Sequence, residues 1–199
     1  MTAILGYVDG DEMLMMADSN TWAGCRLVAG EQPKVFVHGP ALIGTAGGLR
    51  HRQIVRYHVE TLPRCEGPEA AAVDYVEGLM VGWVEKVRVA FREHGFMGKE
   101  KEYGVDNFGQ DDELIVAYAG HLWTLDPCWA VIHHGQGPTA VGCATQAARA
   151  AMVALLAREP KDMDYGLKVE ALMRRALEAT AVVDSHIRSP FTLLRAPWR

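Results

Sequence analysis

Residues 2–19 read TAILGYVDGDEMLMMADS. Two apolar runs, residues 3–8 and 13–17, flank Asp9-Gly10-Asp11. Short apolar runs joined through Asp-Gly predict a β-hairpin. A threonine stands directly behind the initiator methionine. A small second residue ordinarily means only that the methionine is trimmed. Here the threonine also leads straight into a strand, which gives the position more to say.

Working outward, residues 34–38 and 41–43 predict a second hairpin about Gly39-Pro40. Gly44-Thr45-Ala46-Gly47-Gly48 then breaks the strand and opens a new element. Residues 49–61 are helical, with Ile54, Val55, His58 and Val59 near the 3.6 period. Residues 63–68 form a loop, and a long helix is expected over 68–94. Gly78 and Gly82 cost that helix some stability, and their spacing suggests close contact with a neighbouring helix. Residues 95–110 read as an exposed loop. Strands are expected at 113–119, 121–125, 129–133 and 139–141, helices at 145–157 and 167–180, and a closing strand at 191–194. Antiparallel hairpins with helices in pairs predict an α+β fold, with sheets inside and helix pairs outside. The whole chain, residues 1–199, is expected to form one domain.

Composition narrows the function. The 199 residues are 49% hydrophobic and 23% charged, an ordinary globular balance. A formal net charge of −5 supplies no basic field for nucleic acid. Asp9, Asp11 and Glu12 interrupt any signal-peptide core, and no window approaches the roughly 18 apolar residues of a membrane span. Cys25, Cys65, Cys128 and Cys143 include no CxxC pair, favouring neither a disulfide framework nor a zinc knuckle. His133 and His134 on a strand would point to opposite faces, a poor metal pair. Cys65 is either a reactive thiol or an incidental loop cysteine. The expectation is a cytoplasmic protein with no cofactor and no metal.

Several segments in order resemble the proteasome β-subunit and HslV family of N-terminal nucleophile hydrolases. The opening resembles the family's first hairpin, in which a mature N-terminal threonine begins a strand and "A-D-S" ends the next. "QPKV", "GTAGG", "ELIVAYAG…LWTLDP", "TAVGCATQAARAAMVALL" and "ALEATAVVDSHI" are similar to later family elements. The resemblance implies a four-layer αββα sandwich. It sets Thr2 on the nucleophile, Asp18 on the buried aspartate, Lys34 on the catalytic lysine and Gly47 in the oxyanion loop. Cys143 falls where the family has a serine, and Asp184 on the trailing aspartate. Thr21, Gln32 and Thr45 fall on the substrate-pocket wall. Asn20 stands where an arginine often follows "D-S". The family implies a peptide or unfolded-protein substrate, a homo-oligomeric ring and an ATP-dependent unfoldase as partner.

The residue types suit that chemistry. A threonine hydroxyl needs a base. Once Met1 is removed, the α-amine of Thr2, titrating at about 7.7–8.0, can take the hydroxyl proton and later return it. Lys34 would lower the hydroxyl's pKa, and Asp18 would hold the lysine charged. Taken singly, Asp18 could end a strand, Lys34 could be a surface lysine, Gly47 a tight turn and Cys143 a small buried apolar residue. Two other functions stay open: a small-molecule amide hydrolase on the same fold, and an inactive structural ring that keeps Met1.

Overall fold

The computed structural model describes residues 2–23, 26–28, 33–65, 72–94, 112–126, 128–158 and 165–198; the side chains of 21–23, 26–28 and 165–167 are outside the description. The loop expected at 95–110, the start of the helix expected at 68 and Gln32 therefore lie outside the described residues.

The opening hairpin forms as β1 (Ile4–Asp9) and β2 (Glu12–Asp18), turning at Gly10 with φ +57°. β3 (Thr21–Ala23) and β4 (Arg26–Val28) make a separate two-stranded ribbon. β5 (Val35–His38) and β6 (Ala41–Ala46) form the second hairpin. α1 (Leu49–His58) and α2 (Val73–Glu93) follow. Then come β7 (Glu113–Tyr118), β8 (His121–Leu125), β9 (Val131–Gly135) and β10 (Thr139–Val141). α3 (Thr145–Arg158), α4 (Tyr165–Val183) and β11 (Phe191–Pro197) complete the order.

Two antiparallel sheets result, β10-β1-β2-β11 and β5-β6-β7-β8-β9. Strand alternation sorts the side chains into three apolar layers. Ile4, Met13, Met15, Leu42, Ile115 and Ala117 pack between the sheets. Leu5, Leu14 and Met16 point the other way, against Met152 of α3 and Val169, Leu172, Met173, Ala176 and Leu177 of α4. Those α4 positions fall at helical spacing and make one apolar stripe. On the far side, Ile43, Leu114, Val116 and Trp123 meet Ile54 and Val55 of α1 and Val76, Met80, Trp83 and Val87 of α2. Each fully buried large side chain contributes about 1.5–3 kcal/mol. The layering is the four-layer αββα sandwich.

Four expectations are corrected. α1 stops at His58 rather than residue 61, because Val59 is extended at φ −109° and ψ 136°. The strand expected from residue 129 begins at Val131; Trp129 instead closes a turn at φ +68°, with the Asp126 carboxylate accepting the N–H groups of Cys128 and Ala130. β11 runs three residues further, to Pro197, in register with β2. Among the described residues, Gly78 and Gly82 touch no neighbouring helix: a Cβ at either would meet no described atom within 4 Å.

Cys65 is buried in the layer beneath α1 and α2. His133 lies against the Trp123 ring and 3.2 Å from His121, while His134 Nε2 is 2.7 Å from Thr124 Oγ1. Among the described residues no three His, Cys, Asp or Glu side chains are placed to share a metal ion. Nor is any described helix long and apolar enough to cross a membrane.

Candidate active site

Three strand registers build one site at one end of the sandwich. β1 and β10 pair Ile4 with Val141 and Leu5 with Ala140, and the same register sets Thr2 opposite Cys143. β1 and β2 pair Ile4 with Ala17, which sets Asp18 opposite Ala3. β5 and β6 pair Val35 with Gly44, which sets Lys34 opposite Thr45.

The first register gives the thiol its partners. Thr2 N lies 3.3 Å from Cys143 Sγ, and the thiol lies 3.5 Å from Thr2 O and 3.7 Å from Asp184 Oδ2. Thr2 is buried, whereas Cys143 is exposed. Cys143 is therefore not the buried apolar filler that a lone cysteine suggests. Asp184, just beyond α4, also accepts the His186 N–H at 3.0 Å and sits 3.1 Å from His186 Nδ1. Burial pushes the Asp184 carboxyl up, but those bonds and the thiol outweigh it and leave it below the usual carboxylate range. An open cleft of about 600 Å³, lined by Glu113, Gly142, Cys143, Val183 and Asp184, lies beside the thiol.

The second and third registers bring Asp18 to Lys34. Lys34 Nζ donates to Asp18 Oδ1 at 2.9 Å and to Oδ2 at 2.8 Å. Lys34 is 5% exposed and Asp18 1%, so the lysine is not a surface residue. The same carboxylate accepts the N–H of Ala3 at 2.9 Å and of Asn20 at 3.2 Å. Burial pulls the Lys34 ammonium below the usual lysine range, and the Asp18 carboxylate only partly restores it. Burial likewise pushes the Asp18 carboxyl up, against Lys34 and the two backbone donors. Asn20 does structural work that an arginine would do differently: its Nδ2 donates to His186 O at 3.2 Å, tying the Asp18 end of β2 to the turn carrying Asp184.

The glycine loop comes next. Gly47 sits at φ +110°, and a Cβ there would overlap the Asp112 carboxylate. That carboxylate accepts the Gly48 N–H at 2.8 Å and lies 2.6 Å from His51 Nδ1. Thr45 is buried, and its N–H donates to Lys34 O at 2.9 Å. Thr21 lies in β3 with its side chain outside the description, so of the three residues expected on a pocket wall only Thr45 has a described side chain.

The sequence reading missed four residues here. Arg52, buried on α1, donates to Pro33 O at 3.0 Å, and its charge adds to the forces depressing Lys34. His51 and Asp112 pair behind the glycine loop. Glu113 accepts the Gly142 N–H at 2.6 Å. Asp112 and Glu113 precede the wholly apolar run Leu114–Tyr118, so alternation alone would have turned both inward.

The fold is shared with solved proteasome-like structures. BPH of Thiobacillus denitrificans, solved in complex with epoxomicin, matches with a TM-score of 0.70 and 17% identity, covering 100% of this chain and 100% of that one. HslV from Trypanosoma brucei matches with a TM-score of 0.66 and 19% identity, over 98% and 99% of the two chains. Anbu from Pseudomonas aeruginosa, solved as a helical assembly, matches with a TM-score of 0.63 and 16% identity, over 98% and 81%. At such identities the likeness is one of fold. No protein-family model and no curated protein matches the sequence.

Proposed function

We propose, from a fold held in common with HslV, Anbu and BPH, that the chain is a threonine-type peptidase subunit whose Thr2 is the nucleophile once Met1 is removed. The observation that carries this is the buried Asp18–Lys34 pair, bonded to the backbone one residue from Thr2. A buried ion pair is a poor stabiliser, because desolvating two charges can cost more than their attraction returns. Its position beside a strand-leading threonine gives it a catalytic use.

The Thr2 hydroxyl attacks the peptide carbonyl carbon, and its proton passes to the Thr2 α-amine. Lys34 holds positive charge near that hydroxyl and, by like charge, keeps the resting amine unprotonated and able to act as the base. The Gly48 N–H is spent on Asp112, so the developing oxyanion is assigned to the Gly47 N–H. The amine then protonates the leaving nitrogen, giving a Thr2 ester. Water activated by the same amine hydrolyses that ester and releases Thr2. Cys143 and Asp184 keep the amine aimed at the hydroxyl, and Thr45 contributes to the pocket wall, a role the family resemblance also assigns to Thr21 and Gln32.

The chain acts as one domain within a homo-oligomer. Support comes from the Anbu assembly and from apolar side chains left in the open. Tyr75, Val81 and Val89 stand exposed on the same helix as the open Gly78 and Gly82, and Val182 is 85% exposed. An ATP-dependent unfoldase fits as the partner that would deliver unfolded protein to a ring of such subunits. The test is hydrolysis of fluorogenic peptides by the purified full chain. The parent should turn over and Thr2→Ala should not; equal turnover by both would remove Thr2 from the mechanism.

A further inference from the structure

At the first two residues of the β7 region, consecutive carboxylates reach opposite loops of the site. Residues 114, 116 and 118 of β7 face α1 and α2, whereas 115 and 117 face the other sheet. Asp112 shares the first face. There it accepts the Gly48 N–H at 2.8 Å and fills the space that a side chain at Gly47 would need. Glu113 shares the second face. It crosses to the other sheet and accepts the Gly142 N–H at 2.6 Å. Gly142 in turn sits at φ +101° against Thr2, so closely that a Cβ would overlap the Thr2 carbonyl. One strand end thus holds the loop beside Gly47 with one residue and the loop beside Thr2 with the next.

We propose that Asp112 and Glu113 are a pair of positioning residues that fix the distance between the oxyanion donor and the nucleophile. This rests on the peptidase reading of Thr2 and Gly47. Gly47 and Gly142 have positive φ and no side chain of their own to anchor them. A carboxylate accepting a backbone N–H makes a stronger bond than a neutral acceptor. Carrying both bonds on adjacent residues at the start of one buried strand, Asp112 just before β7 and Glu113 its first residue, makes the two loops move as a unit. The reaction needs that, because an oxyanion donor works only where the charge will develop.

The clamp is read first by amide hydrogen exchange on the full chain, independent of activity. Asp112→Ala should speed exchange at Gly48, and Glu113→Ala at Gly142, by about 10-fold or more while the β1 amides stay protected. Asp112→Asn and Glu113→Gln keep an acceptor oxygen and should hold exchange near the parent rate. Turnover is read second. Each alanine variant should lower kcat by about 10- to 100-fold with KM within about threefold, less than outright loss of an oxyanion donor, and each amide variant should recover most of it. If an alanine variant does not fold, Asp112→Ser or Glu113→Ser, too short to reach the glycine, replaces it with the same expectation. Unchanged exchange in folded variants overturns the clamp. So does a kcat loss that tracks melting temperature and is not rescued by the amide. Faster exchange in the alanine variants, with a parent that cleaves no peptide, upholds the clamp and overturns the peptidase reading instead.

Discussion

Lys34 Nζ bridges both oxygens of the Asp18 carboxylate, at 2.9 and 2.8 Å, with both residues buried. Neither charge has water to replace the other. Removing one partner therefore strands the other, at a cost of about 3–5 kcal/mol. That makes the pair a structural commitment as well as the proposed catalytic one.

Lys34→Ala should accordingly lose turnover by about 10³-fold or more and also lower the melting temperature. The two effects separate in a double variant. Asp18→Asn with Lys34→Met removes both charges, so much of the stability should return while turnover stays absent. Denaturation midpoints and peptide hydrolysis on the three proteins check this. Recovery of turnover in the double variant would show that the ion pair serves only the fold.

Cys143 is tested by two substitutions. Serine keeps a donor and acceptor near Thr2 N and Asp184, and a hydroxyl bonds better than a thiol. Cys143→Ser should therefore keep or raise kcat. Cys143→Ala removes the amine's partner and should cost about 10- to 100-fold, the worth of one bond to a charged group. Full stability with no activity in the serine variant would point to chemistry at sulfur itself.

Gly142→Ala should fail in a way that Gly10→Ala does not. Both glycines have positive φ, but only Gly142 lies against Thr2; a Cβ at Gly10 meets no atom within 4 Å. Gly10→Ala should cost about 1–2 kcal/mol of stability and leave turnover intact. Gly142→Ala should cost more and abolish turnover by displacing Thr2. Equal turnover in the two variants would contradict the close approach.

Acid should weaken the fold through His38. This side chain is buried at the end of β5, and burial holds its pKa below the ordinary value, against the backbone groups of Glu60 and Val59. Above about pH 6.5 it is neutral folded or unfolded and adds no pH dependence. As pH falls from there toward the lowered folded value, the unfolded chain takes the proton first. Stability drops, with a slope of at most about 1.4 kcal/mol per pH unit. His38→Phe should flatten that part of the stability profile measured by urea denaturation; an unchanged slope would assign it to another group.

The fold was legible where periodicity is strong. Residues 3–17 are two apolar runs about one Asp-Gly turn, and the stripe from Val169 to Leu177 has helical spacing, so hairpin and helix could both be placed. β3 and β4 were missed because three residues each carry no periodicity. The Asp126-Pro127 dipeptide signals a turn, but not that the Asp126 carboxylate holds the chain there through residue 130 and delays the strand to Val131. The site divided along the same line. The 16-residue gap from Asp18 to Lys34 says nothing about contact; only the family resemblance put them together. Glu113 opens the expected strand and Asp112 stands just ahead of it, but their partners are backbone N–H groups that no sequence pattern displays.

The central claim is that Thr2 acts as an N-terminal residue. An epoxyketone such as epoxomicin requires both a hydroxyl and an amine on one residue to close its six-membered ring. Intact-mass and peptide mapping of the active preparation after treatment with it reads the claim directly. The account predicts a chain lighter by one methionine that gains one adduct per subunit at Thr2, with none on Thr2→Ala. A preparation that hydrolyses peptides while retaining Met1, with no adduct at Thr2, would contradict it.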